Sequence, residues 1–342
     1  MNPSQISIKP LVATLGFALL LVFAGSLSAG RLSISWTEML SLVSNRLQGI
    51  ESVGDLASKE LVFFYIRLPR CLMALLVGVS LSLSGAVYQG LFRNPLVSPD
   101  ILGVSAGCTF GAALGLMMGA SSMAPVHLLS FVFGMAAVGL SVSLARVIAV
   151  KPVIVLVLAG MVVLSFFNAL LMTLKYFSDP YDELPSIIFW VMGSLGRVSW
   201  GNVAIMAPIA LGGTLIFLIF SFRLNILSLG DTQAKSLGLS PQWSRIMLIT
   251  VSSFLVASAV ATCGQICWIG LIIPHMARSL VGPGHERMMP VTALLGGIFL
   301  LVADGAARSV TSAEIPVGII TALVGAPAFG YLMFKNRGSG WI

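Results

Sequence analysis

The chain has 342 residues, 57% of them hydrophobic and only 9% charged, with a net charge of +7 and a mean hydropathy of +1.01. A soluble domain carries about 25% charged residues, so this chain cannot cover a water-facing surface with what it has. That excludes an ordinary globular enzyme and predicts an all-α, polytopic membrane bundle, one integrated domain over residues 1–342.

In chain order the apolar runs are 11–29, 71–91, 103–119, 128–149, 153–174, 203–221, 245–262, 266–281, 288–303 and 313–333, ten predicted spans. The first ends in small residues near Ser28 and Ala29. It admits a signal-peptide reading, but its length suits a first span, which is preferred. Several later runs are short for a bilayer of about 30 Å, and 266–281 contains Pro274. Such helices are tolerated where protein or a water cavity surrounds them. Ten spans put both termini on one side. With the N-terminus inside, eleven Lys and Arg fall inside and eight outside, against three acids inside and nine outside. The basic bias is small but has the sign expected of cytoplasmic termini.

Four connections stand out, the last of them the short inner loop 282–287, "GPGHER". Residues 31–70 form an outer segment in which Trp36, Met39, Leu40, Val43, Leu47 and Ile50 recur at helical spacing, a helix on the bundle or membrane surface. Residues 175–202, with "SDPYDELP", form a second outer segment, and 222–244 an inner one. The stretch "GLFRNPLVSPDILG" (Gly90–Gly103) becomes an inner-edge turn. Pro95 and Pro99 stop a helix, Asn94 can bind freed backbone groups, and Asp100 can cap the next span.

The chain lacks the P-loop, HExxH and GxSxG patterns, so no catalytic residue is assigned. Four cysteines (Cys71, Cys108, Cys263, Cys267) lie in or beside apolar runs, and three histidines are scattered; no metal site is expected. Almost every acid sits at a span end or in a loop. Asp304 and Arg308, four apart, share a helix face and can pair. A passive conduit energised from elsewhere fits this better than an ion-coupled carrier or channel.

Five blocks in order carry a family resemblance: "RLPR" (Arg67–Arg70), "SGAVYQGLFRNPLVSPDILGVSAG" (Ser84–Gly107), "GDTQAKSLGL" (Gly230–Leu239), "IGLIIPHMARSLVGPGHER" (Ile269–Arg287) and "ADGAARSVTSAEIPVGIITALVGAPAFGYLM" (Ala303–Met333). Together they resemble FecCD-type permeases, the membrane subunits of type II ABC importers for iron chelates, haem, cobalamin and molybdate. The resemblance implies ten helices per subunit, a homodimer, two separate ATPase subunits that bind ATP and Mg, and a periplasmic or lipid-anchored binding protein. It implies no nucleic-acid partner and no cofactor in the chain itself.

Three residue sets follow from it. Arg67, Arg70 and Arg308 resemble outer arginines that receive acids of the binding protein; snorkelling, or for Arg308 a pair with Asp304, is the plainer reading. Leu229, Gly230, Asp231, Ala234, Leu237 and Gly238 fall in the coupling segment that docks the ATPase. There Asp231 reads as an N-cap, Gly238 as a C-cap and Pro241 as the next helix start. Val153, Ile154 and Val155 fall where the family places its cytoplasmic gate, although some relatives have small hydroxyl residues there. The aliphatic fifth and tenth spans, with Met161, Phe166, Phe167 and Phe329, read as pathway lining.

Overall fold

A computed structural model describes residues 7–30, 32–119, 122–148, 152–311 and 313–335. Among them the chain is helical throughout: α1 (Ile8–Ser28), α2 (Trp36–Gln48), α3 (Asp55–Leu61), α4 (Leu68–Phe92), α5 (Val104–Met117), α6 (Met123–Ile148), α7 (Pro152–Phe177), α8 (Glu183–Val191), α9 (Trp200–Leu229), α10 (Asp231–Ser236), α11 (Pro241–Cys263), α12 (Ile269–Val281), α13 (His285–Ser309) and α14 (Val317–Lys335). Eight stretches are long and apolar enough to cross a bilayer, α3 and α4 counting as one, and the shorter apolar α5 and α12 complete ten. Each predicted run therefore meets a helix.

Burial sorts these helices. The α4 span is 78% buried along its most apolar stretch and α1 only 11%. Small residues put α4 at the hub, where it packs against α9, α11, α12 and α13. A Cβ on Gly85 would lie 1.8 Å from the carbonyl oxygen of Gly270, so α4 and α12 cross backbone against backbone, which only glycine permits. The short helices are inside as well: most of α5 and α12 is buried, so their ends and Pro274 meet protein rather than lipid.

Two expectations need correction. The outer segment does not extend to residue 70, and Arg67 and Arg70 lie within a helix rather than ahead of one. The helix begins at Asp55 and runs through a π-helical turn, Val62–Arg67, into α4. Pro69 explains the turn: it has no N–H to give, and the wider π geometry ahead of it relieves the clash with the preceding turn. The surface helix α2 exists, held by a capping box between Ser35 and Glu38. Its apolar residues are split, however. Met39 is buried with Leu42 against the bundle, while Trp36, Leu40, Val43, Leu47 and Ile50 face outward. The stripe is therefore divided between a packing face and an outward apolar face. Lys59 of α3 ties α2 down through Glu38 at 2.8 Å.

Candidate functional site

Polar contacts separate the bundle into two ends. At one, the last turn of α1 leaves orphan carbonyls. Arg67 donates from Nη1 to Leu27 O (2.8 Å) and Ser28 O (2.9 Å), and from Nη2 to Leu32 O. Arg308 donates from Nη2 to Ser26 O (3.1 Å) and Ser26 Oγ (2.7 Å), and from Nη1 to Ala29 O (3.3 Å). Two cations thus close the negative end of α1, a helix that packing alone holds weakly. Between α4 and α13, Asp304 is fully buried and accepts from Arg70 Nε at 2.9 and 3.2 Å. It also pairs with Arg308 Nε at 3.1 Å, and Arg70 Nη1 reaches Glu314 at 2.8 Å.

The three arginines do converge. All line a dent of about 210 Å³, with half-exposed Glu314 on its wall. They are not an exposed basic patch: each is at most 6% exposed and engaged inside the chain. Both partners of the Arg308 alternative are answered by geometry, since its Nε meets Asp304 and its Nη atoms meet α1. Sequence reasoning missed Ser26 and Glu314. No local spacing could reveal them, because Arg70 and Glu314 stand 244 residues apart.

At the other end α10 is a short knob between α9 and α11. Asp231 is its first residue, not its cap; Gly230 precedes the helix and no side chain caps it. Asp231 instead joins three elements. Its carboxylate meets Arg245 of α11 at 2.9 Å and Arg93, just past α4, at 3.1 Å. The Arg245 hydrogen bond, helped by the charges of Arg93 and Lys235, holds this carboxyl below the usual carboxylate range despite partial burial. Gly238 terminates α10 at φ +77°, with Gly238 N–H on Lys235 O (3.0 Å) and Leu239 N–H on Ala234 O (2.9 Å). Ala234 is buried, whereas Leu229 and Leu237 are exposed apolar side chains beside the knob. Pro241 opens α11 as expected.

The turn Gly90–Gly103 belongs to this end. Arg93 adopts a left-handed conformation (φ 50°), Leu96 N–H binds Asn94 Oδ1 at 2.9 Å, and residues Pro99–Leu102 form a 3₁₀ turn. Asp100 does not cap α5 through its backbone; it accepts the Ser105 hydroxyl. The turn touches α10 through Arg93 and α7 through Ile101, whose carbonyl oxygen would lie 2.0 Å from a Cβ on Gly160.

The α7 face is largely uncovered. Of the gate candidates, Ile154 is 57% exposed while Val153 and Val155 are partly buried, since successive helix positions point about 100° apart. Lys151 lies outside the described residues. Met161 and Phe166 are exposed, but Phe167 is buried against Phe110 and Phe133, with ring centroids at 5.7 and 6.4 Å, and lines nothing. Phe329 packs near Trp268 and His275. No group of three or more His, Cys, Asp or Glu positioned to hold a metal occurs among the described residues.

A helical bundle with ten apolar helices, a short helical knob at one end and a buried charge cluster at the other fits a membrane transport subunit. Residues 18–335 match the FecCD transport family, and the chain belongs to that family. It is 40% identical over 327 residues to the molybdate import system permease protein MolB of Haemophilus influenzae, covering 95% of this chain and 96% of that one. It is 39% identical to a probable iron chelatin transport system permease protein of Helicobacter pylori, covering 89% and 90%. A solved metal-chelate type ABC transporter in an inward-facing conformation superimposes with a TM-score of 0.85 at 39% identity, over 95% of this chain and 99% of that one. The chain is thus the permease subunit of an ABC importer, a transport protein that relies on an ATPase and a binding protein supplied by other chains.

Proposed function

We propose that two copies of this chain form the pathway of an importer for a metal chelate, an iron-siderophore or haem. Two ATP-binding cassette subunits, which hold ATP and Mg, dock on α10, and a periplasmic or lipid-anchored binding protein delivers the cargo at the opposite end. Cobalamin and molybdate or tungstate belong to the same substrate range, and the likeness to a molybdate import permease favours an oxyanion as the second reading. The α10 end carries Arg93, Lys235, Arg245 and Arg278 beside Asp231, while the other end carries Arg67, Arg70 and Arg308 beside Asp304 and Glu314. The bias of eleven Lys and Arg against eight supports a cytoplasmic α10 end with both termini on that side.

The observation that carries the reading is the contact chain from α10 to α7. Asp231 of the knob holds Arg93, and the turn beginning at Arg93 packs on α7 at Gly160. A movement of the ATPase against the exposed side chains Leu229 and Leu237 and the backbone at Gly230 and Gly238, with Asp231 between them and Ala234 anchored beneath, would reach Val153, Ile154 and Val155 at the start of α7 without crossing the core. At the delivery end, an acid of the binding protein competes with Glu314 for Arg70, while Arg67 and Arg308 hold the floor. The exposed positions Ile154, Leu158, Met161, Ser165, Asn168 and Met172 carry no charge, so cargo passes without tight binding. The test is uptake into proteoliposomes containing the chain alone, with the ATPase, and with both partners. Uptake that needs all three supports the reading; uptake by the chain alone, without nucleotide, indicates a secondary transporter or channel and removes it.

A further inference from the structure

We infer that the groove between α6 and α11, floored by the start of α7, holds one anionic phospholipid of the leaflet at the α10 end. The groove encloses about 800 Å³ and is lined by both arginines of that neighbourhood, Arg146 and Arg245, with Gln242 beside them. Its remaining lining is mostly aliphatic, including Met135, Val138 and Ile249, and contains no acid. This site is not part of the transport reading above and stands whichever cargo is carried.

Three features select the occupant. The first is an unmet donor. Arg245 is 6% exposed; its Nη2 meets Asp231, but its Nε is buried with no hydrogen-bond partner. A buried guanidinium donor left unpaired is costly, and a small rotation of the Arg245 side chain on the groove wall would bring its guanidinium to a phosphate oxygen, the acceptor that suits it. The second is charge: Arg146, exposed on the last turns of α6, has no carboxylate in ion-pair contact among the described residues. Asp231 is shared between Arg245 and Arg93, so the head of the groove keeps a net positive charge, and the N-terminus of the 23-residue α11 adds its dipole. The third is length. From Arg146 back to Met135 the helix rises on the order of 16 Å, about half the 30 Å hydrocarbon core. The polar head thus sits at an interface and the aliphatic floor reaches the midplane, as one acyl chain requires. A free aqueous anion has no use for that floor. Basic pockets between spans at the cytoplasmic side are where anionic headgroups bind.

Gly139 offers a direct test, because a Cβ there meets nothing within 4 Å. A leucine fills the groove without disturbing α6. The full-length chain, purified in a mild detergent, is titrated with dioleoyl phosphatidylglycerol or dioleoyl phosphatidylcholine, and retained lipid is counted by native mass spectrometry. The wild type should retain one phosphatidylglycerol at roughly tenfold lower lipid concentration than phosphatidylcholine, from the two basic groups. Gly139→Leu should lose that retained lipid, and Arg146→Gln should lose the preference for phosphatidylglycerol. Equal retention of the two lipids by the wild type overturns the inference. So does Gly139→Leu retaining phosphatidylglycerol as the wild type does, which would place a headgroup at the arginines without a chain in the groove. If Gly139→Leu fails to fold, Arg146→Gln decides alone, since it alters an exposed side chain: an unchanged preference overturns the assignment.

Discussion

Replacing Asp304 by alanine tests the charge cluster most severely. The carboxylate is fully buried and meets the Nε atoms of Arg70 and Arg308, whose side chains are 6% and 7% exposed. Its loss leaves two guanidinium groups in a dry interior. Breaking one buried ion pair costs about 3–5 kcal/mol. Arg70 keeps Glu314 and Arg308 keeps Ser26 and Ala29, which hold the expected loss near the lower figure. Glu314→Ala is the matched control: it also removes a carboxylate from Arg70, but one 43% exposed, worth about 0–1 kcal/mol. The measurement is unfolding by sodium dodecyl sulfate in mixed micelles, followed by far-ultraviolet circular dichroism. Asp304→Ala should lower the unfolding free energy by about 3 kcal/mol, well beyond Glu314→Ala. Equal effects, or a loss for Asp304→Ala under about 1 kcal/mol, would refute the view that this cluster holds α4 to α13.

Arg67→Ala should free the end of α1, removing charged hydrogen bonds worth about 1.5–3 kcal/mol each; hydrogen exchange at Gly25–Ser28 should accelerate while α4 stays protected. Gly238→Val forces a β-branched residue to φ +77°, a strain of about 1–3 kcal/mol confined to the knob, so co-purification with the ATPase should fall while the bundle unfolds almost as before. Asp231 has a folded pKa below its unfolded value, so its pairs stabilise α10 fully at neutral pH and are lost as the pH drops through that depressed value. Because the group is 39% exposed, the effect is at most about 1 kcal/mol; Asp231→Asn should flatten the acid limb of the stability profile, and an unchanged limb would remove Asp231 from the network.

The internal engagement of Arg67 and Arg70 makes charge reversal an ambiguous probe of docking. Reversing Arg67 or Arg70 to glutamate would put an acid among the carbonyls of α1 or beside Asp304, and a loss of docking would then report a damaged bundle. Glu314→Gln leaves the arginines in place and removes the internal competitor, so it should tighten binding-protein docking if an incoming acid uses Arg70.

Ten helices were legible in the sequence because apolar run length is a local property that the bilayer thickness turns directly into a span. The knob was legible for a related reason: Gly238 and Pro241 punctuate the chain by backbone conformation alone, although Asp231, read as the cap, is the first helical residue. The order of five sequence blocks identified the family, which no single helix could. The roles of the charged residues were not legible. Arg67 and Arg70, three positions apart, look like one surface pair, yet one closes α1 and the other pairs with a carboxylate 234 residues away. Likewise, the three gate candidates are adjacent in the sequence, but helical geometry exposes Ile154 over its neighbours. Desolvation decides such roles, and desolvation depends on which helices meet. The sequence by itself determined how many times the chain crosses and where it turns. Only the tertiary structure decided which of its few charges face inward, because an ion buried in this bundle must find its partner on another helix.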